Sequence, residues 1–192
     1  MSKTIIEIEG IDSTGKSTVI NSLKEEFPKS ISFIKTPTPQ FRSFIIDRNE
    51  PLPFEIATML FSIDRWHSVQ NTYDIIIADR FLLSTLAYHA KDDNAIKKII
   101  GMHNSLSIPM PAISFLLISN KNVIIDRLSK RKNTDIYEKD IKKLISIQDR
   151  YIDIVEKIPY HCYTIDTSKL SQEKVIKKIK SLTNQDLCNI LV

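Results

Sequence analysis

The sequence predicts an α/β fold: a five-stranded parallel sheet covered by helices on both faces. Three observations carry that expectation. Short apolar runs rich in Ile read as strands, and longer segments between them show helical periodicity. Strands that alternate with helices imply right-handed crossovers and hence parallel pairing. The 192 residues, 42% hydrophobic and 26% charged, suit one domain with an ordinary core, and no repeat or low-complexity linker divides them.

Residues 3–9 alternate and form the first strand. The segment 16–27 reads as a helix stopped before Pro28. "SISFIK" (30–35) is a short strand that "TPTPQ" cannot continue, because proline removes ladder donors. A short helix is expected at 41–48 and a long one at 54–73. "DIIIADR" (74–80) is a buried strand with a polar exit. "LLSTLAYHA" and "NAIKKIIGMHNSL" read as two helices broken near "KDD". "AISFLLI" (112–118) and "HCYTIDT" (161–167) complete the strands, with helices at 121–131, 138–157 and 171–182, the last capped by Ser171. Residues 127–140, dense in Lys, Arg and Asp, read as a flap within the single domain 1–192.

The net charge of +4 is mild and fits an ordinary basic surface or a concave site for a small anion. No basic block interleaved with aromatics suggests nucleic-acid binding. Cys162 and Cys188 lie outside any CxxC or Cys/His cluster, so neither zinc nor a disulfide scaffold is indicated. No secretory signal or membrane span is read, and the expectation is a soluble, cytoplasmic protein.

Glycine is scarce, with three in the chain, and two of them flank one turn. Gly10-Ile11-Asp12-Ser13-Thr14-Gly15-Lys16-Ser17 matches the spacing G-x-x-x-x-G-K-[ST], with a strand before it and a helix after. In such a loop, backbone N–H groups of the turn and helix start bind phosphate oxygens. Gly10 and Gly15 let the backbone approach closely, and Ser13, Thr14 and Thr18 complete the cradle. Lys16 neutralises the β and γ phosphates of ATP, and Ser17 offers a hydroxyl to Mg2+. The fold expected is therefore the three-layer α/β/α sandwich of P-loop NTPases.

Asp79 ends a buried strand and should open on the same edge as Gly10, where ligands bind in open α/β sheets. It is placed to orient Mg2+ or its water, and Arg80 to hold a second anion. Lys16 and Asp79 must then share a rim. "SNKN" (119–122) begins like a guanine-binding motif but lacks the aspartate, which disfavours a GTPase.

"MLFSIDRWHS" (59–68), "DRFLLSTLAYHA" (79–90) and "TIDTSKLSQEKV" (164–175), in order with the loop, resemble the corresponding segments of thymidylate kinases, which phosphorylate dTMP to dTDP. The resemblance spans nearly the whole chain. It implies that Asp12 grips the 3′-hydroxyl of the acceptor, Phe61 stacks on the base, Arg65 reaches the base edge and Arg80 holds the acceptor phosphate. It puts Ser84 and Tyr88 against deoxyribose and base, His89 where a glutamine commonly contacts thymine, and implies a homodimer built on helix faces. Phe61 and Arg65, four apart, share a helix face. The stripe Ile56, Met59, Leu60 and Ile63 points about a quarter turn away, which leaves Phe61 to line a pocket.

"NVIIDRLSKRKNTDIYEKD" (122–140) resembles the lid of that family. Arg127, Lys130 and Arg131 share a helical face able to close over ATP, with Arg131 the expected catalytic cation because position 13 is serine. Three departures stand out: Lys35-Thr36-Pro37 lacks a glutamate, Asp135 is followed by Ile136 rather than arginine, and His89 replaces glutamine. The implied reaction moves the γ-phosphoryl of ATP to a deoxynucleoside monophosphate, most directly dTMP. A deoxynucleoside kinase would need a carboxylate near Thr36 to take a proton. A non-catalytic nucleotide-binding protein is the remaining alternative.

Overall fold

A computed structural model of the chain describes residues 3–27, 29–48, 50–130 and 141–190, with side chains as far as residue 183. Five strands, β1 (Thr4–Glu9), β2 (Ile31–Lys35), β3 (Ile75–Asp79), β4 (Pro111–Ile118) and β5 (His161–Asp166), form one sheet in the order β2-β3-β1-β4-β5. Every neighbouring pair is parallel. The chain passes from β1 outward to β2 and later returns past β1 to β4, so the strand order reverses beside β1. That reversal opens a crevice at the carboxyl edge, where Ile8 of β1 and Lys35 of β2 both register with Asp79 of β3.

The helices are α1 (Lys16–Glu26), α2 (Pro39–Ile45), α3 (Phe54–Ser68), α4 (Leu82–His89), α5 (Asp93–Ser105), α6 (Lys121–Ser129), α7 (Ile141–Val155) and α8 (Gln172–Ile190). Strand periodicity divides the core in two. Ile6 and Ile8 of β1 face a cluster built with α1 and α8, whereas Ile5 faces one built with α4, α5 and α7. Glu7 and Glu9 alternate with Ile6 and Ile8, and both acids are fully buried.

Several boundaries differ from expectation. α2 starts two residues early because Pro39 sits at its first turn, where a missing N–H costs nothing. α3 stops at Ser68 rather than 73, and the chain turns through Asn71 at φ 24°. α8 runs eight residues beyond the expected 182, while α6 and α7 end short of the predicted 131 and 157. Arg131, Asp135 and Ile136 lie outside the described residues.

The face of α3 differs too. Ile56, Met59 and Ile63 are exposed, while Ala57, Thr58, Phe61, Ser62 and Arg65 are buried. The apolar stripe thus faces outward, and the inward face carries Phe61 together with the polar groups. The physical reason lies in α4 and α5, whose Thr85 and His103 supply partners for Arg65.

Candidate active site

The loop after β1 reverses through left-handed backbone at Gly10 (φ +133°), Ser13 (φ 68°) and Gly15 (φ +98°). A Cβ on Gly10 would lie 2.2 Å from the Leu117 carbonyl oxygen of β4, so strand contact as well as angle demands glycine. Gly15 meets nothing and is required by its angle alone. Gly101 in α5 has open space, so scarcity did not mark a crowded position there.

Gly15 is also the N-cap of α1 and supplies no side-chain acceptor, so the first-turn amides keep their capacity to bind an anion. Thr14 Oγ1 donates to the Ile11 carbonyl at 2.8 Å, and Lys16 Nζ donates to the same oxygen at 3.0 Å. Lys16 Nζ also lies 3.8 Å from Asp12. Burial, then the charge of Arg80, pushes the Lys16 ammonium down to about 8, with Asp12, Asp79 and Glu9 opposing. Asp79 registers with Ile8 at the end of β1, the strand that leads into the loop and Lys16, so both residues open on the same sheet edge. Ser17 and Thr18 are exposed.

Two residues brace the loop from the far side of the sheet. Arg127 of α6 donates through Nη1 to the Ser13 carbonyl at 3.0 Å and through Nη2 to the Thr167 carbonyl at 3.0 Å. Thr167 Oγ1 lies 3.0 Å from the Thr14 carbonyl and donates to it. Arg127 is therefore anchored to the loop backbone rather than part of a flap. Lys130 is paired with Asp126 at 2.7 Å, so it and Arg127 do not present one open basic face. Asn120 caps α6 through the Val123 amide at 3.0 Å, which accounts for "SNKN" as a helix start.

Across the sheet edge stands Arg80, held at φ 67° by its N–H on the Ile8 carbonyl and by Thr36 Oγ1 on its own carbonyl. A non-glycine residue in that region is strained and persists where its surroundings over-determine it. Arg80 Nη2 reaches Asp12 Oδ1 at 2.9 Å, and Nη1 reaches Tyr151 Oη at 3.2 Å and Ser84 Oγ at 3.3 Å. Its guanidinium lies 5.6 Å from the Tyr88 ring centroid. Lys35 approaches Asp79 at 3.5 Å. Phe61 packs against His89 with centroids 5.0 Å apart. Burial, then the charges of Arg150 and Arg65, pushes the His89 imidazolium down to about 4, so the ring is neutral at pH 7.

The structure thus gathers Asp12, Arg80, Ser84 and Tyr88 around one point and pairs Phe61 with His89 at a second, while Arg65 is buried among Ser62, Thr85 and His103. What the sequence reading missed lies beneath them. α4 has no side-chain cap of its own. Glu9 accepts from the amides of Phe81 (2.7 Å) and Ser84 (3.2 Å), and Glu7 from those of Leu82 (2.9 Å) and Leu83 (3.3 Å). Two acidic side chains on the strand that leads into the loop therefore cap the helix that carries Ser84 and Tyr88. Burial, then the neighbouring charge of Glu9, raises the Glu7 carboxyl well above the usual range. Acids at alternate positions in "IEIEG", on a strand expected to be buried on both faces, are a signal that could have found them. Tyr151, which joins α7 to Glu9, Ser84 and Arg80, had none beyond its place in an apolar stripe.

A glycine loop of P-loop spacing, linked at 2.9 Å to Arg80 across one sheet edge, is the framework of a P-loop phosphotransferase of the nucleoside monophosphate kinase class. The thymidylate kinase family profile matches residues 8–179. A probable thymidylate kinase 1 of Saccharolobus solfataricus is 32% identical over 92% of this chain and 95% of its own length. A thymidylate kinase of Nautilia profundicola is 27% identical over 94% and 96%. The solved thymidylate kinase of Candida albicans shares the fold, with a TM-score of 0.68 at 23% identity over 96% of this chain and 93% of that one. The chain belongs to the thymidylate kinase family.

Proposed function

We propose that the chain transfers the γ-phosphoryl group of ATP to the 5′-phosphate of dTMP, giving dTDP. The observation that carries this reading is the Arg80–Asp12 contact, which ties an anion-holding arginine to the loop that holds the donor. The acceptor phosphate is already an anionic nucleophile, because a phosphomonoester loses its second proton near pH 6. No general base is required, so catalysis rests on alignment and charge neutralisation. Lys16 and the α1 amides bind the donor phosphates; Arg80 orients the acceptor; Asp12, paired with both cations, is the proposed partner of its sugar hydroxyl. Arg131 remains the proposed transition-state cation.

The donor set fits Mg2+. Ser17 presents an exposed hydroxyl and Asp79 a carboxylate on the shared rim, both hard oxygen ligands. Bound there with phosphate oxygens and water, the ion would neutralise charge on the transferred group.

Thr36, at the end of β2, spends its hydroxyl on the Arg80 carbonyl and offers no carboxylate to deprotonate a sugar, which supports a monophosphate over a nucleoside acceptor. A panel of nucleoside monophosphates and thymidine with ATP and Mg2+ tests the reading. Product from dTMP is expected; product from thymidine alone, or none, overturns it.

The exposed α3 stripe of Ile56, Met59, Ile63 and Trp66 repeats at roughly helical spacing and supports a homodimer through this face. Sedimentation of a Met59→Glu variant as a monomer is expected; an unchanged dimer would exclude this face.

A further inference from the structure

Tyr151 of α7 is fully buried, yet its hydroxyl meets polar groups from three other parts of the chain. Oη lies 3.2 Å from Arg80 Nη1, 2.7 Å from Ser84 Oγ and 3.1 Å from Glu9 Oε2. A guanidinium nitrogen can only donate, so Oη accepts from Arg80. Its own proton goes to Glu9, directly or through Ser84 Oγ, which donates to the same carboxylate at 2.5 Å. Burial, then the charge of Glu9, pushes the Tyr151 phenol well above its ordinary value, so the proton stays on it.

α7 holds that hydroxyl in a fixed place. Three residues earlier, Gln148 clasps Ser119 just beyond β4. Its Oε1 accepts from the Ser119 amide at 3.0 Å and its Nε2 donates to the Ser119 carbonyl at 2.9 Å. Leu144, Ile147 and Ile154 are buried in the core shared with α4 and α5. The Tyr151 ring meets the Tyr88 ring edge-on at 6.2 Å. The helix is thus registered to the carboxyl edge of the sheet, and Oη with it.

Arg80 is gripped from two sides. Nη1 donates to the hydroxyls of Tyr151 and Ser84, and Nη2 to Asp12 at 2.9 Å. The Arg80 side chain is 16% exposed and that of Asp12 28%, so the Nη2 end looks toward the open rim and the Nη1 end toward buried Tyr151. Asp12 is also the proposed partner of the acceptor's sugar hydroxyl, so its hold on Nη2 is the one that substrate can take away. The contacts on Nη1 then decide the plane of the guanidinium. Ser84 rides on α4, the helix that Arg80 itself leads into. Of the two, Tyr151 is the one that ties the guanidinium to an element remote in the chain, 71 residues away.

We propose that Tyr151 is a positioning residue for the acceptor phosphate: its hydroxyl holds Nη1 from behind and so aims the Arg80 guanidinium at the loop side of the crevice. This rests on the reading that Arg80 holds that phosphate. In-line transfer needs the acceptor oxygen aligned with the γ-phosphorus, so a misaimed clamp loses rate as well as affinity.

Tyr151→Phe removes one oxygen and keeps the ring and its place beside Tyr88. The test is steady-state kinetics with dTMP and ATP, with thymidine as a competitive inhibitor against dTMP. The kcat/KM for dTMP should fall about tenfold, as expected for a hydrogen bond to a charged group. The ATP KM and the thymidine Ki should stay within about twofold, because the ATP phosphates belong to the loop and thymidine has none. In an Arg80→Ala background, Tyr151→Phe should add nothing. If Arg80→Ala impairs dTMP use and Tyr151→Phe does not, the positioning role is wrong and the Arg80 reading stands. If Arg80→Ala leaves dTMP kinetics unchanged, the phosphate reading fails and this inference with it. Equal losses for dTMP, thymidine and ATP would make Tyr151 merely structural and overturn the proposal. Should the Phe variant not fold, side-chain 1H–15N spectra of the unmodified, nucleotide-free enzyme decide. Separate Nη1 and Nη2 signals, from slow rotation, are expected for Arg80, and a single averaged signal overturns the proposal.

Discussion

Replacing Glu9 probes the join between the two substrate sites. Its Oε1 accepts from the Phe81 and Ser84 amides, and its Oε2 from Ser84 Oγ at 2.5 Å and Tyr151 Oη at 3.1 Å. In Glu9→Ala the two hydroxyls, already 2.7 Å apart, can satisfy each other. The two amides cannot, because Glu7 already serves the Leu82 and Leu83 amides and the Phe81 and Ser84 amides have only Glu9 as their acceptor. At ~1–3 kcal/mol per unsatisfied buried group, the loss is about 4 kcal/mol. For a chain of this size that lowers Tm by roughly 8–16 °C. Glu9→Gln keeps Oε1 for both amides and turns its Nε2 toward hydroxyls that can rotate to accept, so it should cost only about 1 kcal/mol and ~2–4 °C. Calorimetric melts of the two variants read the difference. Because α4 carries Ser84 and Tyr88, and Arg80 leads into it, the Ala variant should also raise the dTMP KM more than the ATP KM. Equal melting temperatures for Ala and Gln, or an Ala variant within 2 °C of the parent, would show that the amides find other partners and that β1 does not hold α4.

Lys16 is held at about 8 without nucleotide. Its folded value lies below the ordinary 10.5, so the unfolded chain binds more protons between the two, and stability should rise from pH 8 toward 10.5. Bound phosphates favour the charged form, so ATP binding should take up a proton above pH 8, and its Kd should weaken by up to about tenfold per pH unit there. Calorimetry in buffers of different ionisation enthalpy measures the uptake; a pH-independent Kd would place Lys16 away from the phosphates. Phe61→Ala removes the ring beside His89 and should raise the dTMP KM by roughly tenfold, from ~1–3 kcal/mol of stacking, with little change for ATP; equal effects would count against a base platform. Arg127→Ala frees the Ser13 carbonyl and should raise the ATP KM about tenfold while leaving dTMP binding in a direct titration unaltered; an unchanged ATP KM would mean Thr167 suffices to brace the loop.

The phosphate loop was legible because its chemistry is local: two left-handed glycines, a lysine and a hydroxyl at set spacing do their work within eight residues. The clustering of Arg80, Ser84 and Tyr88 was legible because they are neighbours on one strand exit and helix. The facing of α3 was not. An apolar stripe predicts burial, yet does not say whether against the sheet or another chain, and here the inward side is occupied by an arginine that needs polar partners. Arg127 read as a lid cation because charge spacing on a helix is the same whether the face meets solvent or a loop carbonyl.

Taken alone, the amino-acid order decided the strand–helix alternation, the donor-phosphate turn and the family, since each depends on neighbours within a few turns of chain. Only the tertiary structure decided that Glu7 and Glu9 cap α4, that Tyr151 joins Arg80, and that His103 pins Arg65. Those contacts span 38 to 76 residues, and a buried polar group takes whichever partner the packing brings within reach of it.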